Sequence, residues 1–252
     1  MIRPRLLVVA SVALFSLAAF ACTDVSGSST SVLSIQFDSL AAPSVVVGDT
    51  LRDTTGAVIL PVVHAFNFQG EEITPAPVWF QSPDSGVAVD SITGIIVGGG
   101  SLRSSPVRIV ATVGTLQAIQ RLDLTLRPDL LAPVHDRDSL AYLAQDTTSN
   151  VLSVKLTHGV APNDSVVKSY IVSFAIVSQS APDLGTLVDA RGQPSVVDTT
   201  DADGVAGRAI RLHPLSVTTP VDSIVVNATA RYRGVEVSGS PVRLVMKIQP
   251  RS

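Results

Sequence analysis

Apolar and polar residues alternate along several short segments of this chain, and a period of two is typical of β-strands that bury one face. The clearest segment in the first half is VRIVATV at residues 107–113, where nearly every second residue is apolar. Similar segments follow at residues 152–157, 170–176, 224–232 and 242–248. Turn signals rich in Gly, Pro, Asn and Asp recur about every ten residues, and no segment shows a convincing helical period. The pattern predicts an all-β fold of antiparallel β-sandwiches.

The length and composition of the chain allow two such modules. The chain has 252 residues, of which 46% are hydrophobic and 15% charged, so it can bury sizeable cores. At roughly 100–150 residues per domain, one or two domains fit this length. A segment bounded by prolines at residues 128–133 indicates a linker, and Arg233-Gly234 predicts a tight turn between the last two long strands. We predict modules at residues 32–128 and 129–252.

The first 21 residues have the features of a secretion signal. Arg3 and Arg5 form a positively charged start, and residues 6–21 follow as an unbroken uncharged and mostly apolar stretch. A helix that spans a bilayer needs about 20 apolar residues, so this stretch is short for a permanent anchor and suits a cleaved signal. We predict a signal peptide at residues 1–21 and export of the rest of the chain.

Cys22 follows the predicted signal and is the only cysteine of the chain. Together with Ala19, Phe20 and Ala21 it resembles the lipobox of bacterial lipoproteins, in which the cysteine thiol takes a diacylglycerol and the new N-terminus takes a further acyl chain. Ala21 fits that motif, whereas Ala19 and Phe20 stand where the motif prefers Leu and a small residue. Ala-Phe-Ala also suits ordinary signal peptidase, which would leave a free cysteine at or near the N-terminus. We predict lipid attachment at Cys22.

The predicted anchor sets the expected location of the protein and one of its partners. Two or more acyl chains hold a protein on a bilayer, where a single chain is marginal. Residues 22–31 are polar and rich in Ser, which favours a flexible tether. We therefore expect a protein of the bacterial cell envelope, lipid-anchored at the outer membrane on its periplasmic or surface side. If Cys22 is not lipidated, the expectation is a secreted protein.

The first module contains the stretch PVWFQSPDSGVAVDSITGIIVG at residues 77–98. This stretch resembles the signature of the bacterial Ig-like domain, group 2, and SVVVGDT at 44–50 and IVATVG at 109–114 resemble its opening and a later strand. The positions that fit the signature are Trp79, Ser82, Asp84, Val87, Ala88, Val89, Asp90, Gly94, Val97 and Gly98. The resemblance implies an Ig-like β-sandwich with an envelope or cell-surface role and no catalysis.

Trp79 is the only tryptophan of the chain. A tryptophan on a central strand of a β-sandwich is often buried between the two sheets, so we expect Trp79 to anchor the core of the first module. The alternative is an exposed indole that stacks on a ligand.

The second module contains VDTTDADGVAGRAIRL at residues 197–212. This stretch resembles a turn of the invasin-like bacterial Ig domains, group 1, and SYIVSFAIVSQ at 169–179 resembles the strand before it. The matching positions are Thr200, Asp201, Asp203, Gly204, Val205 and Ala206. Together, the two resemblances predict two tandem antiparallel Ig-like β-sandwiches after the signal peptide.

Asp201 and Asp203, followed by Gly204, also look like part of a calcium loop. Calcium needs six or more oxygen ligands, usually with a bidentate carboxylate further on, and the next acidic residue is Asp222. Asp side chains that bond local amides, with Gly taking a positive φ, explain the same pattern more simply. Asp201 and Asp203 are therefore only weak candidate ligands, and we predict no metal and no cofactor.

The rest of the sequence shows no convincing pattern for nucleic-acid binding, zinc binding or catalysis. The formal net charge is −3 without a basic stripe, which makes nucleic acid an unsuitable partner. The four histidines lack the spacing of a zinc site. Ser165 and Lys168 match Ser-x-x-Lys, but the other elements of that catalytic motif are absent. We predict that the chain is not an enzyme. Clustering of His135, Asp136 and Asp138 with another acid in the folded chain would revive the hypothesis of an enzyme.

Two functions remain open at this point. The first is a lipid-tethered structural spacer or adhesive surface with a protein partner in the envelope or on another surface, which both family resemblances imply. The second is a lipoprotein that binds a carbohydrate or another small ligand, which requires exposed aromatic side chains on one face. Only 4% of the residues are aromatic, and most lie at strand positions expected to face inward. The sequence therefore favours the first function.

Overall fold

The computed structural model describes residues 31–141, 147–214 and 223–249. The predicted signal peptide and Cys22 lie outside these ranges. Within them every regular element is a β-strand, and no helix there is long and apolar enough to cross a membrane. The prediction of an all-β fold is confirmed for the residues that the structure describes.

The first part of the chain forms eight short strands. They are β1 (Ser34–Phe37), β2 (Ser44–Val46), β3 (Val63–Phe66), β4 (Trp79–Gln81), β5 (Val87–Val89), β6 (Ile96–Gly98), β7 (Val107–Val113) and β8 (Leu116–Thr125). The second part forms thirteen further strands in the described residues. They are β9 (Leu130–His135), β10 (Arg137–Ala141), β11 (Thr147–Thr148), β12 (Leu152–His158), β13 (Ser165–Val166), β14 (Ile171–Gln179), β15 (Gly185–Val188), β16 (Val197–Thr199), β17 (Val205–Leu212), β18 (Ser223–Thr229), β19 (Arg231–Tyr232), β20 (Val235–Glu236) and β21 (Val242–Gln249).

Each half of the chain contains one sheet whose strands are arranged in the same way as in the other half. In the first half the order is β2-β8-β7-β4, and in the second it is β10-β21-β18-β14-β16. In both sheets an early strand runs parallel to the last long strand, which pairs antiparallel with the long strand before it. The second half closes its sandwich with a sheet in which β9 and β17 flank β12 and β15 pairs with β17. Strands divided in this way between two sheets form an immunoglobulin-type sandwich.

The alternating pattern of β7 explains how its side chains are divided between core and surface. Val107, Ile109, Ala111 and Val113 are buried, while Arg108 is exposed. Since successive side chains of a strand point to opposite faces, the predicted alternation places its apolar residues in the core. The same rule accounts for β21, whose buried and exposed positions alternate almost throughout.

The buried side chains form two clusters. One contains residues between 42 and 124, and the other contains residues between 131 and 248. The clusters meet at the boundary, because the partly buried Leu126 packs against the second cluster and Ile171 packs against the first. Below, residues 32–128 are called the first module and the residues after them the second module. The boundary itself stays a prediction.

The expectation that Trp79 anchors the core is wrong. Trp79 is 57% exposed, whereas its neighbour Phe80 is only 7% exposed. Phe80 lies opposite the buried Ala111 in the sheet, and its ring meets the ring of Phe37 edge to face at 6.5 Å. Because neighbouring residues on a strand face opposite ways, an inward Phe80 turns Trp79 outward.

Candidate functional site at the junction of the modules

Asp49 lies in a sharp turn that follows β2. Gly48 takes a φ of 76° there, a conformation that favours glycine, and the Asp49 amide donates to the Val46 carbonyl at 3.0 Å. The turn brings the Asp49 side chain to the end of the first module, where it is only 5% exposed. A buried carboxylate is costly unless it is paired and hydrogen-bonded.

The second module supplies most of the hydrogen bonds to that carboxylate, and Arg52 of the first module lies 3.6 Å from it through Nε. Arg233 donates from Nε to Oδ2 at 2.9 Å and from Nη2 to Oδ1 at 2.8 Å. The Tyr232 hydroxyl donates to Oδ2 at 2.8 Å, and the backbone amide of Thr50 donates to Oδ1 at 2.8 Å. A bidentate pair of guanidinium and carboxylate fixes orientation as well as distance. These contacts join two segments that are 184 residues apart.

The hydrogen bonds set the charge of the Asp49 carboxylate. Burial alone would raise the pKa of Asp49, but the bonds from Arg233, Tyr232 and the Thr50 amide together with the charge of Arg233 outweigh it and lower that pKa to about 2. Burial and the bond to Asp49 also raise the pKa of Tyr232. At neutral pH the junction therefore holds a full carboxylate, a neutral phenol and the guanidinium cations of Arg233 and Arg52.

A second group of hydrogen bonds crosses the boundary beside β8. The Ser169 hydroxyl donates to the Asp123 carboxylate at 2.6 Å, and the Thr125 hydroxyl donates to the Lys168 carbonyl at 2.6 Å. The Ser44 hydroxyl donates to the Ser169 carbonyl. These three bonds tie the end of β8 and the neighbouring β2 to one segment of the second module, residues 168–169.

Two glycines allow the backbones of the modules to touch. A Cβ atom on Gly56 would lie 2.6 Å from the carbonyl carbon of Arg233, and one on Gly234 would lie 2.4 Å from the carbonyl oxygen of Thr55. Real Cβ atoms do not approach other atoms so closely. The close approach therefore depends on glycine at both positions.

The space left between the modules is small. A cavity of about 30 Å³ remains beside Asp49, lined by Ser44 and Arg52 of the first module and by Tyr170 and Tyr232 of the second. Sites for small organic ligands have volumes of roughly 300–1,000 Å³. The junction is thus a packed contact and does not form a ligand cleft.

The structure places Asp201 and Asp203 in the turn before β17. The Asp201 Oδ1 accepts from the amides of Asp203 and Val205, each at 2.9 Å, and Gly204 takes a φ of 74°. One oxygen of Asp201 is thus already bonded to its own loop. Among the described residues no three His, Cys, Asp or Glu side chains group closely enough to hold a metal ion.

The residues whose clustering would have favoured an enzyme have separate partners. His135 Nδ1 lies 2.9 Å from the Val151 carbonyl oxygen, and the Asp138 carboxylate accepts from the side-chain Nδ2 of Asn150 at 3.1 Å. Asp136 lies 3.7 Å from the Arg137 Nε. Ser165 lies on the short strand β13. The catalytic Ser-x-x-Lys motif requires its serine at the start of a helix, so Ser165 does not fit it.

The comparisons with known proteins add little. A scan against protein-family models and a search of curated proteins both found no match. Among solved structures, domains 4 and 5 of the S-layer protein SbsC are 12% identical with a TM-score of 0.32, covering 86% of this chain and 98% of that chain. The EC1-2 fragment of human protocadherin-24 is 14% identical with a TM-score of 0.29, covering 88% and 100%. TM-scores this low do not establish a shared fold. The assignment of the fold therefore depends on the strand pairing of this chain.

Proposed function

We propose that this chain is an exported, lipid-anchored protein of the bacterial envelope whose two Ig-like modules form a rigid spacer carrying a protein-binding or adhesive surface. The observation that carries the proposal is the buried Asp49 carboxylate, which binds Arg233 and Tyr232 across the junction. Modules joined by a flexible linker move relative to each other by default. A spacer must prevent that motion, and a packed, charged junction does so.

The connection between the modules supports the same function. Only residues 126–129 separate β8 from β9, and within them Arg127 donates to Asp129 at 2.7 Å. Asp129 also accepts from the Gly159 amide at 2.9 Å, which ties the connection to the second module. A short connection that is bonded internally and to the second module restricts the motion of the two sandwiches.

The proposed anchor can be tested by metabolic labelling. Cells producing the full chain are fed an alkyne-bearing fatty acid, and incorporation is compared between wild type and Cys22→Ala. The proposal expects label in the wild type and none in the variant, together with release of the variant from the membrane fraction. Equal incorporation in the two proteins would show that Cys22 is not the lipid site.

The spacer and binding roles can be separated by a pull-down from envelope extract. The mature wild-type chain is compared with an Asp49→Ala variant, in which the junction loses its central acceptor. A partner that needs both modules in fixed orientation binds the wild type only, whereas a partner of one module binds both proteins. Recovery of no partner favours a pure spacer and removes the protein-binding part of the proposal.

A ligand-binding function is the second candidate, and one observation favours it. The exposed indole of Trp79 is the kind of aromatic side chain that such a function requires.

A further inference from the structure

His64 lies in the small sheet formed by β1 and β3. It is opposite Gln36 in the pairing of these strands, and its side chain is 33% exposed. The next residue along β3, Ala65, is buried, so His64 points to the outward face of the sheet. β1 is the first strand after the predicted tether, and among the described residues its backbone pairs with β3 alone. A contact that joins β1 to β3 therefore helps to hold the start of the first module in place.

Both ring nitrogens of His64 meet a carboxylate. Nδ1 lies 2.7 Å from Glu72 Oε1, and Nε2 lies 3.1 Å from Asp38 Oδ2. Asp38 directly follows β1, and Glu72 belongs to the segment after β3, where its backbone bridges to Phe66. The imidazole thus joins three neighbouring backbone segments through side chains. These three side chains, of Asp38, His64 and Glu72, are called here the His64 clamp.

The geometry of the clamp selects the protonation state of the ring. A carboxylate only accepts hydrogen bonds and a neutral imidazole has a single N–H donor, so only the imidazolium form donates to both partners. The bonds to Glu72 and then to Asp38, together with the charges of both acids, raise the pKa of His64 above its reference value of 6.5 against a smaller opposing effect of burial. Folding therefore favours the charged ring.

Among the described residues, the two carboxylates of the clamp are the only charges that shift the pKa of His64. On β1 the opposite residue is the uncharged Gln36, and on β3 the neighbouring ring is that of Phe66, with centroids 6.3 Å apart. Glu71 accepts from Asn67 Nδ2 at 3.0 Å, and β8, which also contacts β1, adds no charge to the shift. The clamp therefore has excess negative charge, which grows when the ring loses its proton.

We propose that the His64 clamp is a pH-sensitive fastening that holds β1 on the first module in mild acid and loosens at alkaline pH. As the pH rises through the raised pKa of His64, the ring loses a proton and one carboxylate faces a nitrogen without hydrogen. The contribution of the clamp is complete below about pH 6.5 and is lost above the higher pKa of the folded chain. The opening is local, as is usual for a strand at the end of a module. The proposal goes beyond the spacer function and does not depend on a lipid at Cys22.

A nuclear magnetic resonance titration of the mature chain tests the charge of the ring. The His64 resonance, identified by its loss in His64→Gln, should titrate above 6.5 in the wild type. Asp38→Asn and Glu72→Gln each remove one negative charge but keep an oxygen that accepts a hydrogen bond, so each should lower the pKa of His64. Asp164→Asn is the matched control, because Asp164 is an exposed acid of the second module, and it should leave that pKa unchanged.

Hydrogen exchange of the same chain tests whether the strand follows the ring. The reporters are two amides at the ends of β1: Leu33 donates to the Phe66 carbonyl at 2.8 Å, and Asp38 donates to the Val62 carbonyl at 3.0 Å. Their protection is compared at about pH 5 and about pH 8, on either side of the ordinary range of histidine, after correction for the intrinsic exchange rate. We expect protection to fall with rising pH in the wild type, and to be low at both pH values in His64→Gln.

The Phe174 amide, which donates to the Val196 carbonyl at 2.7 Å in the second module, is the internal control and should keep its protection. Three outcomes overturn the proposal. The first is a wild-type His64 that titrates at or below 6.5, and the second is a pKa that neither carboxylate variant lowers. The third is a β1 whose amides are equally protected at both pH values, or lose protection to the same extent in His64→Gln. The wild-type measurements decide the first outcome and half of the third, so the test does not depend on the folding of any variant.

Discussion

Asp49 shows how one residue ties the two modules together. The side chain is buried at the end of the first module, and two residues of the second module complete its hydrogen bonding. Removal of the carboxylate leaves the Tyr232 hydroxyl and the Arg233 guanidinium without their acceptor. The loss is moderated because Arg233 is 55% exposed at its side chain and water can reach it.

We predict that Asp49→Ala lowers the free energy of unfolding by about 2 kcal/mol, below the roughly 3–5 kcal/mol for breaking a fully buried ion pair. The matched control is Asp164→Ala, because Asp164 is an exposed acid in a loop of the second module. Surface changes of that kind stay within about 0.5 kcal/mol. Urea denaturation followed by circular dichroism measures both values. Equal stabilities of the two variants would mean that the Asp49 pair does not stabilise the junction.

The lowered pKa of Asp49 predicts a specific loss of stability in acid. The carboxyl has a pKa of about 2 in the folded chain against a reference value of 3.8, so folding favours its charged form. Its contribution is complete above about pH 4 and is lost as the pH falls through about 2. The difference in pKa corresponds to about 2 kcal/mol. We therefore expect the stability gap between wild type and Asp49→Asn to close between pH 4 and pH 2. A gap that stays constant over this range would contradict the pairing.

Strand β4 shows which parts of an element the sequence could and could not predict. The alternation at residues 107–113 identified β7 and its buried face, because every residue of one face is apolar, whereas the other face carries Arg108 and Thr112 beside Val110. At β4, Trp79 and Phe80 are both large and apolar, so a period of two could not decide which one points inward. The pairing of Phe80 with Ala111 decides it, and that pairing depends on tertiary structure. A one-residue slip would exchange the two faces.

The orientation of β4 predicts losses of stability of very different size for two adjacent substitutions. Phe80→Ala should cost about 3–5 kcal/mol, because it leaves a cavity in the core of the first module. Trp79→Ala should cost less than about 1 kcal/mol, because an exposed side chain loses little on truncation. Thermal melts of the two variants give the comparison. If Trp79→Ala is the more destabilising change, β4 is shifted by one residue and the indole belongs to the core.

At the scale of the whole molecule, the sequence predicted the all-β fold and the turn at Arg233-Gly234, which the structure places between β19 and β20. The contact between the modules had no sequence signal of its own. Asp49 follows a glycine in one module and Arg233 precedes a glycine in the other, and glycine is common in surface turns of every kind. Their meeting depends on the length and direction of β8 and on the close approach at Gly56 and Gly234.

The rigid junction is the central claim, and a distance measurement between the modules tests it most directly. Spin labels are placed at Ala88→Cys and Val177→Cys, two exposed strand positions in different modules, in a Cys22→Ser background. Pulsed electron paramagnetic resonance then gives the distribution of distances between the labels. We predict one narrow distribution for this protein and a broad one after addition of Asp49→Ala. A broad distribution with Asp49 in place would contradict the account, because the modules would then move freely about residues 126–129.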